Sequence, residues 1–207
     1  MGTNNGLIRY DSYSFKEFKH NPADSNSISG NQIWSIIQDR YGDLWIGTSG
    51  KGLNKYLYSE DRFVHYFHNP SDSTSLGSDL EVPWLYEDSY GEIWIALWEG
   101  GFDKYDRKNN NFIHFRHQKN NPNSIVNNTG HRIYEDKNGF LWFGTSKRLS
   151  KFDRKKNKFT TFKNDPLDKN SLAGNYINSI TEDSNGNLWI GTYSGFSKYN
   201  EVNNNFI

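Results

Sequence analysis

Cysteine is absent from this 207-residue chain, which excludes disulfides and thiolate metal sites and leaves the compartment open. Net charge is absent too: 24 Lys and Arg balance 24 Asp and Glu, and no basic stripe gathers them. The sequence therefore offers no electrostatic footprint to nucleic acid or to an anionic membrane. No run of about 18 apolar residues could span a bilayer. Met1–Asn5 has neither the basic nor the apolar stretch of a signal peptide. Hydrophobic residues reach only 34%, so a core must lean on aromatic side chains, which make up 16% of the chain. Each buries roughly 150–250 Å².

What is present is a repeat. Leu44-Trp45-Ile46-Gly47-Thr48 returns as Ile93-Trp94-Ile95-Ala96-Leu97, Leu141-Trp142-Phe143-Gly144-Thr145 and Leu188-Trp189-Ile190-Gly191-Thr192. The tryptophans are 49, 48 and 47 residues apart. Short strands repeating every 40–50 residues or so mark propeller blades. Before each Trp strand lies a turn with Asp first and Gly fourth: Asp39–Gly42, Asp88–Gly91, Asp136–Gly139 and Asp183–Gly186. That pattern suits a type I turn closed by a glycine at positive φ. The Trp strands are apolar at consecutive positions, as expected of strands covered on both faces. An inner strand such as Ile33–Gln38, a third strand such as Leu53–Tyr56 and an outer strand such as Phe63–Phe67 complete the cycle. The predicted fold is all-β, a β-propeller of four-stranded antiparallel blades with about 48 residues per repeat. The blades are expected near 1–27 (a half blade), 28–75, 76–124, 125–171 and 172–207, in one partial propeller domain.

The two ends predict strand exchange. Gly2–Asp11 matches the stretch that begins at the end of a Trp strand, and Phe206-Ile207 falls where an outer strand begins. The expected partner is either a second copy, giving a dimer by blade completion through Asn175–Thr192, or the remainder of a larger sensor protein.

The repeat resembles the two-component regulator propeller repeat. The fourth cycle carries the resemblance through Asn175, Ile177, Ser179, Ile180, Glu182, Asp183, Gly186, Leu188–Thr192, Gly195, Lys198 and Tyr199. The connections add Asn69, Pro70, Asp72, Ser75 and Leu76, with Ser171 and Leu172. The resemblance implies the sensor region of a hybrid histidine kinase, a periplasmic or extracellular location, and an oligosaccharide ligand.

Candidate chemistry is sparse. The pairs Glu87-Asp88, Glu135-Asp136 and Glu182-Asp183 could suggest glycoside hydrolysis. Neighbours on a strand point to opposite sides, however, and one pair per blade fits turn formation better. No nucleophile elbow, phosphate loop or metal-ligand spacing appears, so no catalytic residue, metal or cofactor is expected. His65-x-x-His68 and His114-x-x-His117 place their members on opposite faces.

Binding residues are expected where the repeat breaks its own pattern. Aligned on the turn glycine, Trp34, Pro83, His131 and Asn178 form one inner-strand column, and Ser35, Trp84, Arg132 and Ser179 the next. Trp98-Glu99, Arg148 and Tyr193 vary in the loop after the Trp strand. The candidate ligand-binding set is Trp34, Trp84, Trp98, Glu99, His131, Arg132, Arg148 and Tyr193. Inter-blade packing is the competing role for Trp34 and Trp84. The sequence thus supports a non-enzymatic sensor or ligand-binding propeller, with a protein-interaction or dimerisation scaffold as the alternative.

Overall fold

The computed structural model describes Met1–Ile207. Its strands are β1 (Gly2–Thr3), β2 (Gly6–Tyr10) and β3 (Phe15–Phe18), which form a three-stranded antiparallel sheet. Four four-stranded antiparallel sheets follow. The first holds β4 (Ile33–Gln38), β5 (Leu44–Thr48), β6 (Leu53–Leu57) and β7 (Arg62–Tyr66). The second holds β8 (Trp84–Glu87), β9 (Ile93–Leu97), β10 (Gly101–Asp106) and β11 (Asn111–Phe115). Next come β12 (Gly130–Glu135), β13 (Leu141–Thr145), β14 (Leu149–Asp153) and β15 (Lys158–Phe162). The last sheet is β16 (Ile177–Glu182), β17 (Leu188–Thr192), β18 (Gly195–Asn200) and β19 (Asn205–Phe206). There is no helix, and strand order within each sheet follows the chain. The sheets are propeller blades stacked in sequence, with the inner strands β4, β8, β12 and β16 side by side.

The first three Trp strands are sandwiched, which is why they are apolar at consecutive positions. Trp45, Trp94 and Trp142 are fully buried, and each sits in a cluster that includes aromatic side chains of the next sheet. Burial at this scale contributes about 4–6 kcal/mol per indole. Gly144 must stay small: a Cβ there would lie 2.6 Å from Ile177 Cγ2 on the next inner strand. Turn glycines Gly42, Gly91, Gly139 and Gly186 have φ between 73° and 87°, as the Asp-x-x-Gly spacing predicts.

Connections between sheets are plugged rather than loose. Ile28, Leu76, Ile125 and Leu172 are buried, which accounts for the Ser-Leu pairs in the connecting sequences. Five of the six histidines hold these connections: His20, His65, His68, His114 and His117 each donate a ring N–H to a loop carbonyl at 2.7–2.9 Å. Within each pair the two rings serve different loops: His65 meets Ser27 and His68 meets Leu76. The sixth, His131, is engaged differently.

Candidate ligand-binding site

The two ends of the inner hairpins carry different chemistry. At the turn end, the carboxylates close the sheets upon themselves and upon each other. Oδ1 of Asp39, Asp88, Asp136 and Asp183 accepts the amides two and four residues on, at 2.9–3.0 Å. Oδ2 accepts the indole N–H of Trp45, Trp94, Trp142 and Trp189 respectively, at 2.6–3.0 Å. The Trp189 indole, then Asn187, holds Asp183 below the usual carboxylate range. The glutamates reach across the seam to the preceding sheet's turn. Glu87 accepts Arg40 N at 3.0 Å, Glu135 accepts Ser89 N at 2.6 Å and Glu182 accepts Lys137 N at 3.1 Å. Arg107 and Arg154 bridge back to Asp39 and Asp88 at 2.6 and 3.0 Å. Every carboxylate of the Glu-Asp pairs is thus occupied by a structural bond, and none converges on an open cleft as a hydrolytic pair would.

At the other end, the mouth, the backbone changes register. Pairing shifts between Ile33 and Ser35, between Gly130 and Arg132, and between Ile177 and Ser179. Trp34, His131 and Asn178 are the extra residues of these β-bulges, and a bulge re-aims the side chain it carries. Pro83 takes the same column just before β8, where it has no ladder hydrogen to donate. The neighbouring column pairs with small residues: Ser35 with Gly47, Trp84 with Ala96, Arg132 with Gly144 and Ser179 with Gly191.

The bulge brings an aromatic row together across three sheets. The His131 ring lies 5.1 Å from Trp98 and 4.6 Å from Tyr176, and Tyr176 stacks on Tyr193 at 4.4 Å. Arg132 lies over the Trp84 ring at 4.6 Å and donates from Nη1 to the His131 carbonyl at 2.7 Å. Trp84 donates its indole N–H to Ile133 O at 3.2 Å. His131 is only 7% exposed, and its Nε2 has no hydrogen-bond partner. Burial, then the Arg132 charge, brings its pKa down to about 4, so the imidazole is neutral at pH 7. Burial, then the Tyr193 hydroxyl, raises Tyr176, which therefore remains a neutral phenol. The row offers flat apolar faces and uncharged hydrogen-bonding groups beside one guanidinium.

Not every sequence candidate joins this row. Trp34 is 48% exposed on β4, away from the aromatic contacts of the row. Glu99 is exposed at φ 59°, in the loop that precedes Gly101. Arg148 points to an outer groove lined by His117, Gln118, Asn121 and Thr161, because its loop leans over the connection from the previous sheet. Tyr176 was missing from the candidate set. It holds the position just before the inner strand, shared by Gln32, Glu81 and Thr129, so one more aligned column would have exposed it.

Three segments match the two component regulator propeller: residues 27–50, 123–147 and 171–194. Those three segments are two-component regulator propeller repeats. The stretch with Trp84 and Trp98 lies between the matched segments, in the sheet where Ala96-Leu97 replaces Gly-Thr. In fold, the chain is similar to the extracellular domain of a putative hybrid two component system from B. thetaiotaomicron, at 26% identity and a TM-score of 0.84. The match covers 100% of this chain and 27% of that one, so the chain spans about a quarter of its relative's length. PorZ, an essential surface component of the type-IX secretion system of Porphyromonas gingivalis, is similar at 20% identity and a TM-score of 0.67, covering 94% of this chain and 29% of PorZ. A streptogramin B lyase is similar at 16% identity and 0.57, over 93% of this chain and 57% of the lyase. These last two share the fold, and a fold by itself carries no function. No curated protein matches the chain.

Proposed function

We propose that this chain is the ligand-binding part of a non-enzymatic sensor propeller that works outside the cytoplasmic membrane and binds an oligosaccharide at its mouth. The observation that carries the reading is the row Trp98–His131–Tyr176–Tyr193 around a buried, neutral imidazole whose Nε2 is unpartnered. A binding site generally combines apolar walls with a few placed polar groups. Sugar rings present one C–H-rich face to an aromatic plane and hydroxyls at the edge. Trp98 and Tyr193 supply planes, while the Tyr176 hydroxyl and Arg132 supply directional partners. The neutrality of His131 and Tyr176 suits an uncharged ligand.

The similarity to the extracellular domain of a hybrid two component system supports the sensor class and the location. No helix is long and apolar enough to cross a membrane. The turn-end carboxylates, each tied to an amide, an indole or a guanidinium, support a role without hydrolysis. A glycan array followed by calorimetry tests the reading. Saturable binding of an uncharged oligosaccharide, weakened by Trp98→Ala, is the expected result; a panel without a single binder contradicts it.

A further inference from the structure

The β8–β11 sheet departs from its neighbours beneath the mouth as well as at it. In the other four-stranded sheets, a neutral side chain of the third strand accepts the amide that follows the buried plug of the preceding connection. Asn54 Oδ1 accepts Ser29 N at 2.9 Å, Ser150 Oγ accepts Val126 N at 3.3 Å and Ser197 Oγ accepts Ala173 N at 2.9 Å. In the β8–β11 sheet the acceptor is a carboxylate: Asp103, fully buried, takes Gly77 N on Oδ2 at 2.8 Å. Strand β11 and the residue after it answer with two donors. His114 Nδ1 and Arg116 Nη2 each lie 2.7 Å from Asp103 Oδ1. A Cβ on Gly77 would lie 1.7 Å from Arg116 Nη2, so the guanidinium holds space that a side chain there would need. The set Ser29, Asn54 and Phe67 of the β4–β7 sheet is thus replaced as a unit by Gly77, Asp103 and Arg116.

His114 stands between two acceptors. Its Nε2 lies 2.8 Å from Ser73 O while Nδ1 meets Asp103, and neither a carbonyl nor a carboxylate can donate. Only the imidazolium, with two N–H groups, satisfies both. His20, His65, His68 and His117 each meet a single carbonyl, which a neutral ring serves. The charged groups that face the His114 ring are Asp103 on β10, Arg116 just past β11 and Asp72 in the connection. The Asp103 hydrogen bond raises the pKa of His114, against burial and the Arg116 charge. What the ring holds leads to the mouth. Ser73 and Gly77 flank the plug Leu76. One residue further, Ser78 Oγ donates to Trp98 O at 3.0 Å, and Trp98 N donates to Glu81 O at 3.0 Å.

We propose that His114 is a proton-operated latch on the connection beneath Trp98: the imidazolium ties Ser73 to Asp103, and loss of its proton frees that segment and loosens the Trp98 loop. Whichever proton leaves, the run Ser73–His114–Asp103–Gly77 is cut at one link. With Nδ1–H kept, Nε2 turns a lone pair toward Ser73 O. With Nε2–H kept, Nδ1 turns a lone pair toward the Asp103 carboxylate and accepts from Arg116 Nη2, 2.9 Å away. The sign follows from the raised folded pKa. The latch is closed below the ordinary histidine value near 6.5 and opens as pH rises through the folded value. Ligand binding at the mouth is then stronger near pH 6 than near pH 8.5, a consequence that rests on the mouth being the binding site. The latch itself does not depend on that reading.

Hydrogen exchange of the ligand-free chain at about pH 6 and about pH 8.5, corrected for the intrinsic rate, tests the latch. The amides of Gly77 and Trp98 should lose protection at least about fivefold on the alkaline side. Their counterparts Ser29 and Ser49, whose amides bond to Asn54 Oδ1 and Gln32 O, should not. An NMR titration of the ring carbons should place the His114 midpoint above those of His20 and His117. The triple substitution Gly77→Ser, Asp103→Asn and Arg116→Phe rebuilds the neutral set of the β4–β7 sheet and should abolish the pH difference, with circular dichroism checking that it folds. The titration and the exchange of the parent chain stand without that variant. Protection at Gly77 and Trp98 that ignores pH overturns the proposal, as does a His114 that titrates with His20 or a pH effect that the folded triple variant retains. No ligand enters these measurements, so their failure is distinct from that of the oligosaccharide reading, which the glycan panel decides.

Discussion

The turn end and the mouth of each sheet are built from the same strands and obey opposite rules. At the turn end, all four repeats bond aspartate to indole and two amides, and three of them send a glutamate across the seam. At the mouth, the bulge column reads Trp34, Pro83, His131 and Asn178, with no residue repeated. Packing dictates the first set, since each group there has a partner in its own or the next sheet. It does not dictate the second, which is free to be shaped by something outside the chain.

The largest test of this contrast is Asp88→Ala. It strips one acceptor from the Trp94 indole, two amides and Arg154, and breaking a buried pair costs about 3–5 kcal/mol. Urea unfolding should show that loss, with ligand affinity unchanged in the fraction that remains folded.

Next comes the pH dependence set by His131. Its folded pKa of about 4 lies below the ordinary value near 6.5, so at intermediate pH the unfolded chain takes up a proton that the folded chain refuses. The contribution is flat above about pH 6.5 and turns against folding as pH falls toward 4, by about 3 kcal/mol across the window. His131→Gln should remove that fall when urea midpoints at pH 7 and 4.5 are compared with the parent chain. The comparison cancels His114, which is raised by Asp103 and shifts the other way.

Trp98→Ala sharpens the contrast from the mouth. It should weaken oligosaccharide binding at least tenfold by calorimetry while costing under about 1 kcal/mol of stability, because Trp98 is only partly buried. The smallest effect is expected for Tyr193→Ala. At 75% exposure its loss should leave the urea midpoint within about 0.5 kcal/mol of the parent and weaken binding only a few-fold.

Much of the fold was legible because it repeats. The Trp spacing and the Asp-x-x-Gly turns place the hairpins, and the consecutive apolar positions give away the sandwiching. What was hidden depends on a neighbouring sheet. Glu87 reads as half of an acidic pair until Arg40 of the previous turn is beside it. His68 has no evident role in the sequence until its ring meets Leu76 O. The varied columns pointed to the mouth, yet the sequence does not mark the bulge that turns His131 toward Trp98 and Tyr176. Arg148 left the set for a similar reason, since its direction is set by the connection under its loop.

The most direct test of the mouth as the binding end is hydrogen exchange with and without a saturating oligosaccharide. Protection should be confined to the segments around Trp98, Gly130–Arg132, Tyr176 and Tyr193, with the turns at Asp39, Asp88, Asp136 and Asp183 unchanged. Protection at those turns, or none at the mouth, would contradict the account.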